Sequence, residues 1–379
     1  MKTPAARTHH DMSSRFRRPR GVAGAPVWTV WPAVCLAVCC SAPARSGEPP
    51  DAASRHVFRR QAMGTEFVLL LETADRELAE RAAAAAWQRV DRLNQIFSDY
   101  DPRSEARRLA ATAPHERPVA VSRELWTVCR FARRLSADSD GAFDVTVGPL
   151  TRLWRRAHRQ HRLPDAKRIE EARRSVGYQY LVVDPDTPRI GLARPGMRLD
   201  FGGIAKGYAL DEVLRTVRRF GIQRALINGG GDLACGEAPT GRRGWPVRIK
   251  PWRDGDAAPL RTLPPHDALT TSGDRWQFLE YEGKRYSHLV DPRTGWAIVG
   301  RRQVSVLAPT GMEADALASA FIVMKPERAA ALAARRPAIG ALIEIERAGR
   351  VERLCIGARR DWFSTDNSCP DPQPPTPNP

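Results

Sequence analysis

The sequence predicts a mixed α/β fold of the α+β kind, in which helices and strands follow no regular order. Two hydrophobic patterns support this prediction: long stretches with helical periodicity, such as 74–97, and short stretches with strand character, such as 285–290. The predicted elements do not alternate as βαβ units, and no Rossmann fingerprint is present. With 42% hydrophobic and 27% charged residues, the chain has a globular composition, which excludes disorder along its whole length.

In the first half of the chain, residues 61–71 form a strand candidate that contains Met63-Gly64-Thr65. The stretch 74–97 is predicted to be a helix, because apolar residues recur there at steps of three and four. These residues are Ala83, Trp87, Val90, Leu93 and Phe97. A second helix is predicted over 123–135, where the apolar residues again share one face.

In the second half, a helix over 204–220 follows the glycine turn at 200–203 and ends at Gly221, a residue type that favours helix C-termini. An apolar helix is predicted over 313–324. The remaining predictions are strands at 225–227, 247–250, 285–290 and 303–307, and a closing hairpin of 338–344 and 351–356.

Four parts are distinguished along the chain: a signal peptide (1–44), a linker (45–57), a catalytic domain (58–363) and a disordered, proline-rich tail (364–379). A basic segment at 15–20 precedes an apolar run at 22–40, and Ala42-Pro43-Ala44 fits a small-x-small cleavage site. Lipidation at Cys39 is a second interpretation. A single anchoring helix is a third, against which the two prolines inside the apolar run argue.

The formal net charge of +17 is carried mainly by Arg residues scattered through helical stretches such as 152–162. We interpret most of it as a solvated surface, because no DNA- or RNA-binding module is recognisable and we expect no nucleic-acid partner. The chain has seven Cys, none in CxxC spacing, so the sequence does not predict a zinc site.

The segment Leu199-Asp200-Phe201-Gly202-Gly203-Ile204-Ala205-Lys206-Gly207 is the most informative motif. Glycines let the backbone approach a ligand, the helix that follows offers free N–H groups, and Lys206 adds a full charge. The pattern therefore indicates an anion site, although a plain glycine turn with a solvated Lys also explains it. The GxxxxGK[ST] spacing of a Walker A loop is missing.

Three other segments carry chemistry. The triple glycine in 228–232 favours backbone that is pressed against a flat ligand or a second chain segment, although a plain turn also explains it. Hydroxyl and charged residues surround Gly273 in 270–275, and His288, on a predicted strand, could move a proton at neutral pH. A structural histidine bonded to the backbone explains His288 equally well.

Asp315 and Ser319 lie four residues apart on a predicted helix, so they share a face. Their oxygen atoms suit a hard cation such as Mg²⁺. The alternative is that Asp315 occupies the first turn, where the helix dipole favours an acid, and that Ser319 bonds back to the helix.

Taken together, the motifs resemble the ApbE family of flavin transferases (FAD:protein FMN transferases). The resemblance spans nearly all of 58–363 and is carried, in order, by Met63-Gly64-Thr65, Phe97-Ser98-x-Tyr100, the segments 143–150, 200–207, 228–232, 271–275 and 288–295, and Ala314-Asp315-Ala316-Leu317. It implies a T-fold-like catalytic domain in a bacterial enzyme that is periplasmic or anchored to the inner membrane as a lipoprotein. FAD would be the donor, Mg²⁺ would be required, and FMN would pass to a Thr or Ser hydroxyl of a periplasmic or membrane target protein with release of AMP.

The resemblance also implies roles for individual residues. His288 would be the base, with Lys206 and Asp315 as the other catalytic residues. Ala205 (through its carbonyl), Asp315 and Ser319 would hold Mg²⁺. The FAD-binding residues would be Met63, Tyr100, Asp144, Gly202, Gly203, Lys206, Asp232, Ser272, Gly273, His288 and Asp291.

The chain departs from the family pattern at two positions: many relatives have Thr where it has Ser319, and Asn where it has Ala110. The second departure leaves open how the flavin end is held. Two competing functions share the same motifs, a Mg²⁺-dependent FAD pyrophosphatase and a flavin-binding protein without catalysis. The Asp315/Ser319 pair argues against the second of these.

Overall fold

The computed structural model describes residues 54–364, apart from 254, 257, 275 and 276. In these residues the helices are α1 (Arg76–Phe97), α2 (Glu105–Ala111), α3 (Arg123–Asp138), α4 (Gly148–Gln160), α5 (Ala166–Arg173), α6 (Ala205–Arg219), α7 (Gly311–Val323) and α8 (Pro326–Ala334). The strands are β1 (Ser54–Ala62), β2 (Thr65–Thr73), β3 (Val119–Ala120), β4 (Leu181–Val183), β5 (Arg189–Leu192), β6 (Ala225–Gly229), β7 (Asp232–Cys235), β8 (Trp245–Arg248), β9 (Leu260–Leu263), β10 (Ala268–Gly273), β11 (Phe278–Tyr281), β12 (Lys284–Val290), β13 (Ala297–Val299), β14 (Arg302–Ala308), β15 (Gly340–Arg347) and β16 (Arg350–Ile356).

The predicted signal peptide, the linker up to residue 53 and the tail from residue 365 lie outside the described residues. Strand β1 includes the last four residues of the segment assigned to the linker, since it begins at Ser54. Within the described part of the chain, no helix combines the length and the hydropathy needed to cross a bilayer.

An eight-stranded antiparallel sheet, in the order β1-β2-β6-β7-β10-β14-β15-β16, forms the centre of the fold. Smaller antiparallel sheets are formed by β11-β12-β13, by β3-β5-β4 and by β8-β9. Helices and antiparallel sheets therefore share one domain, which confirms the predicted α+β class. The closing hairpin is also confirmed, as β15 and β16.

The prediction of one strand over 61–71 is wrong, because this segment contains a turn. Strands β1 and β2 pair continuously up to Ala62 and Thr65, and Met63 and Gly64 form the two-residue turn between them. Both turn residues have positive φ, 47° and 79°, as the twist of a two-residue hairpin requires. Methionine is uncommon at such a position, and little in the sequence therefore indicates the turn.

Helices α1, α6 and α7 cover one face of the large sheet. Helix α1 begins at an N-cap, Asp75, whose carboxylate accepts a hydrogen bond from the Leu78 N–H at 2.9 Å. Half of the residues in its buried stripe are alanines, which allow close packing. The opposite sheet face is covered by β8 and β9, with Trp245, Val247 and Leu263 in its core.

Helices α6 and α7 cross at a contact between two glycines. A Cβ atom on Gly207 would lie 2.0 Å from the carbonyl oxygen of Gly311, so only glycine fits there. Asp211 of α6 fixes the start of α7, because its carboxylate accepts hydrogen bonds from the N–H groups of Gly311 (2.7 Å) and Met312 (2.9 Å). This contact sets the distance between the functional side chains that the two helices carry.

Replacement of Gly207 by Ala tests this contact. Helix propensity alone would make the variant more stable by about 1 kcal/mol. We expect the opposite, a loss of roughly 1–3 kcal/mol from overpacking against a backbone carbonyl. Chemical denaturation of wild type and Gly207→Ala measures the sign, and a variant as stable as wild type would show that the helices can separate freely.

Candidate active site

An ion cluster of three side chains lies where α6, α7 and β7 meet. The Lys206 ammonium group pairs with the Asp232 carboxylate in a short ion pair and lies 3.8 Å from Asp315 Oδ1. The carboxylates are almost completely buried, with side-chain exposures of 4% and 2%, whereas that of Lys206 is 31%. The two carboxylates therefore depend on one ammonium group, which still reaches the surface of the site.

Burial and charge determine the pKa values in this cluster. Burial alone would lower the pKa of Lys206, but the carboxylates of Asp232 and Asp315 outweigh it and raise that pKa. Lys206 is therefore charged at neutral pH. Burial raises the pKa of Asp315 to about 6, against the opposing effect of Lys206. A further positive charge near Asp315 would therefore favour its ionised form.

Two carboxylates accept hydrogen bonds from backbone N–H groups of the glycine turn and the first turn of α6. Asp200 accepts a hydrogen bond from the Gly202 N–H at 2.9 Å, and Asp315 Oδ2 accepts one from the Gly207 N–H at 3.0 Å. Fewer backbone N–H groups are thus free than the sequence predicts. Those of Gly203 and Lys206 have no acceptor within the described part of the chain, and they remain available for an anion.

Ser319 lies against the same turn. A Cβ atom on Gly203 would lie 2.5 Å from Ser319 Oγ, so the glycine leaves room for the hydroxyl group. Helix α7 begins at Gly311, with Thr310 as its N-cap, and Asp315 therefore lies beyond the first turn. This excludes the alternative in which Asp315 serves the helix dipole. Ala205 is the first residue of α6.

The Met63 turn and the triple-glycine turn contact each other at one end of the sheet. Strand β2 pairs with β6, and the Gly230 N–H donates to the Glu66 carbonyl at 3.0 Å. A Cβ atom on Gly230 would lie 2.5 Å from Thr65 Oγ1, so the two turns approach as closely as their backbones allow. This contact brings Met63 to the edge of the sheet where β7 begins with Asp232.

Ser272 and Gly273 lie in β10 beyond the part that pairs with β7. The next residue, Asp274, is buried and connects this strand to β12. Its carboxylate accepts hydrogen bonds from Arg285 Nε at 2.9 Å and from the Arg302 N–H at 3.2 Å. Residue 275, the last of the predicted motif, lies outside the described residues.

His288 lies half-buried in β12, with Nδ1 3.1 Å from the Gln277 carbonyl oxygen. Because a carbonyl can only accept, Nδ1 carries the proton and Nε2 of the neutral ring has a free lone pair. Burial lowers the pKa of His288. The geometry is thus that of a neutral imidazole oriented by the backbone, which suits a base. In the described residues, no hydrogen bond joins His288 to the Lys206 cluster.

Two predicted FAD-binding acids are engaged in their own turns. Asp291 forms a two-pronged ion pair with Arg293, at 2.9 and 2.8 Å. Asp144 accepts hydrogen bonds from the N–H and the hydroxyl of Thr146, both at 2.8 Å, and burial raises its pKa to about 6. Their observed contacts shape the turns around the site, and binding of FAD by these acids stays a prediction.

Helix α4 supplies residues that the sequence analysis missed. Thr151 and Arg155 both donate to Asp200 Oδ2, at 2.7 and 2.8 Å, and Arg155 also pairs with Asp99 next to Tyr100. Trp154 Nε1 donates to the Gly295 carbonyl at 2.9 Å. No local pattern marks these residues, because their partners lie far away in the sequence.

Comparison with known proteins gives a consistent result. A sequence model described as "ApbE family" matches residues 63–343. A protein of Klebsiella pneumoniae named "FAD:protein FMN transferase" is 30% identical over 283 residues, covering 74% of this chain and 86% of the relative. A protein of the same name from Vibrio cholerae is 35% identical over 252 residues, covering 64% and 73%.

Solved structures of flavin transferases are also similar to this chain. The flavin transferase ApbE from Vibrio cholerae has 26% sequence identity and a TM-score of 0.71, covering 82% of this chain and 99% of its own. The apo form of the flavinyl transferase ApbE from Pseudomonas stutzeri has 28% identity and a TM-score of 0.72, covering 83% and 98%. The described domain is thus similar to these enzymes over nearly their whole length.

Replacement of Lys206 by Met tests the shared ion pair. Removing one partner leaves buried carboxylates uncompensated, and we expect a loss of about 3 kcal/mol in the free energy of unfolding at neutral pH. Lys325→Met, at an exposed lysine, is the matched control and should be nearly neutral. Equal stabilities of the two variants in chemical denaturation would show that Lys206 does not stabilise the cluster.

Proposed function

The chain belongs to the ApbE family, and on that premise we propose that it transfers FMN from FAD to a Thr or Ser hydroxyl group of a target protein. Relatives that cover most of the chain bear the name FAD:protein FMN transferase. The observation that carries the proposal is Lys206, whose charged ammonium group belongs to the same segment as the backbone N–H groups of Gly203 and Lys206. These N–H groups have no acceptor among the described residues. Such an arrangement binds a pyrophosphate, which is the part of FAD where the reaction takes place.

The proposed reaction is a phosphoryl-type substitution. The acceptor oxygen bonds to the phosphorus on the flavin side of the pyrophosphate, and the bond from this phosphorus to the bridging oxygen breaks. The products are a phosphoester between FMN and the protein, and AMP. The acceptor hydroxyl loses a proton, and AMP leaves with the bridging oxygen and the charge that the broken bond releases.

The described oxygen atoms fit Mg²⁺. Asp315 Oδ1 lies 3.8 Å from the Lys206 ammonium group, within ion-pair range but beyond hydrogen-bond distance, and it would be the charged ligand of the cation. Ser319 and the Ala205 carbonyl would add neutral oxygen ligands. No group of three His, Cys, Asp or Glu arranged for a metal occurs among the described residues, and Mg²⁺ typically takes one or two carboxylates together with substrate phosphates. When bound, Mg²⁺ neutralises charge on the pyrophosphate.

The chain's own residues would act at both ends of this step. Lys206 and the N–H groups of Gly203 and Lys206 orient the pyrophosphate and stabilise negative charge as it develops. His288 would take the proton of the acceptor hydroxyl at Nε2, because Nδ1 already donates to the Gln277 carbonyl. The protein thereby supplies orientation, charge and a base.

We also propose that the protein is exported, in line with the basic and apolar segments near its N-terminus. Cys355 of β16 is disulfide-bonded and buried. Disulfides persist in oxidising compartments such as the bacterial periplasm. The proposed acceptor is therefore a periplasmic or membrane protein, and anchoring through Cys39 is the alternative to cleavage after Ala44.

Incubation of the protein with FAD, Mg²⁺ and an acceptor protein tests the proposed function. We expect the acceptor mass to increase by one FMN, with one AMP released per FMN attached. Asp315→Asn is the matched inactive variant, because it keeps an oxygen that can accept from Gly207 and loses the charge, and we expect a rate about 10²–10³ lower. FAD cleavage without a change in acceptor mass would identify a pyrophosphatase, and intact FAD would indicate a binding protein.

The protonation state of His288 provides a second prediction. Since burial lowers its pKa below the ordinary value of about 6.5, the protonated ring favours the unfolded chain, and its contribution to stability is lost as pH falls below that value. NMR of ¹⁵N-histidine, assigned with His288→Gln, should show a proton on Nδ1 and a pKa below 6.5. A proton on Nε2 would contradict its role as a base.

A further inference from the structure

Arg155, in the middle of α4, contacts three groups that belong to two other segments of the site. Its guanidinium group forms a short ion pair with Asp99 and a 2.8 Å ion pair with Asp200. Its central carbon also lies 4.6 Å from the centre of the Tyr100 ring. One side chain thus joins the segment after α1, which contains Tyr100, to the first residue of the glycine turn.

The burial of these groups shows that the arrangement is fixed. The side chains of Asp99 and Asp200 are 19% and 7% exposed, and that of Arg155 is 32% exposed. A guanidinium group held by two carboxylates cannot swing away without leaving both unpaired. By contrast, Tyr100 is 74% exposed, and such a side chain would otherwise rotate freely.

The contact with Tyr100 is therefore directional. A guanidinium group over an aromatic ring is attracted to its face and restricts the ring to one orientation. It also covers one face, so the exposed surface of the ring that a planar ligand can reach lies mainly on the other face. A planar ligand that stacks on this ring would meet a surface that is already oriented, and it would lose less conformational freedom on binding.

We propose that Arg155 is a positioning residue that orients Tyr100 for stacking against FAD and couples this stacking to the glycine turn through Asp200. The inference rests on the proposed function, because it takes FAD as the ligand. Arg155 itself acts through Tyr100 and Asp200. FAD would stack on Tyr100 at one end, and its pyrophosphate would bind at the glycine turn. Arg155 would couple these two contacts.

The pattern of contacts separates this role from simple structural support. Besides its ion pair with Arg155, Asp200 accepts hydrogen bonds from the Thr151 hydroxyl group and from the Gly202 N–H, so we expect the glycine turn to retain two anchors when Arg155 is replaced. The Tyr100 ring has no such replacement, because in the described residues no other cation or aromatic ring stacks on it. Loss of Arg155 should therefore affect ligand stacking more than folding.

Lysine cannot replace Arg155 in this role. Its ammonium group is compact and cannot pair with two carboxylates while also lying flat on an aromatic ring. Arg155→Lys should therefore retain the fold and the positive charge but lose the orientation of Tyr100. Arg155→Met removes the charge and tests the same contact more severely.

The test combines Arg155→Lys, Arg155→Met, Tyr100→Ala and the double variant Arg155→Met/Tyr100→Ala. FAD affinity is measured by the change in flavin fluorescence on binding, with Mg²⁺ present, and KM and kcat are measured with an acceptor protein. Each single variant should weaken FAD binding and raise the KM for FAD by about tenfold, with kcat changed by less than about threefold. The double variant should bind FAD no more weakly than Tyr100→Ala, since Arg155 acts through that ring.

Arg156→Met is the matched control, because Arg156 is exposed and adjacent on the same helix. It should leave FAD affinity unchanged. Additive effects in the double variant, or a fall in kcat with unchanged FAD affinity, would overturn the inference. Should Arg155→Met fail to fold, Arg155→Lys and its combination with Tyr100→Ala supply the same comparison.

The binding measurement also separates this inference from the proposed function. FAD affinity is read without any transfer, so a protein that binds FAD but modifies no acceptor would refute the proposed function alone. Equal FAD affinities for wild type and Arg155→Lys would refute the role of Arg155, whatever the acceptor shows.

Discussion

The charge of Lys206, shared between two buried carboxylates, is the interaction on which the rest of the site depends. Asp232 comes from the sheet and Asp315 from α7, so the ammonium group joins the elements that enclose the site. Without it, two carboxylates would be buried without compensation, and one of them would be neutralised by taking up a proton. The same charge stands next to the glycine turn, where a pyrophosphate would bind. In the proposed function, folding and pyrophosphate binding would therefore use one group, which is paired and still reaches the surface.

This cluster forms only because backbones approach each other very closely. Gly207 and Gly311 allow α6 and α7 to cross at a distance that any Cβ atom would prevent, and the next helix turn then places Asp315 against the Gly207 N–H. At the sheet edge, Gly230 makes the equivalent contact with Thr65. The glycines of the site thus allow close packing as well as ligand access. Two of their backbone N–H groups already donate hydrogen bonds, to the carboxylates of Asp200 and Asp315.

The elements with strong periodicity were predictable from the sequence, and the links between them were not. Helices α1, α3, α6 and α7 begin and end within a few residues of their predicted bounds, because an apolar stripe records which face is buried. Lys206, Asp232 and Asp315 were identified through motifs. Arg155 was missed, because its partners Asp99 and Asp200 lie 56 and 45 residues away and leave no local pattern. The Met63 turn was missed because its backbone conformation is one that methionine rarely adopts.

The pKa of Lys206 is the most direct measure of the shared ion pair, since it reports the interaction of the ammonium group with both carboxylates. The chain has few lysines, so ¹³C-labelled lysine side chains can be followed by NMR and the Lys206 signal assigned with Lys206→Arg. We predict that Lys206 stays protonated well above the ordinary lysine pKa of about 10.4, and that Asp232→Asn lowers its pKa. A Lys206 pKa at or below the ordinary value, unchanged in Asp232→Asn, would contradict the shared ion pair and the site built on it.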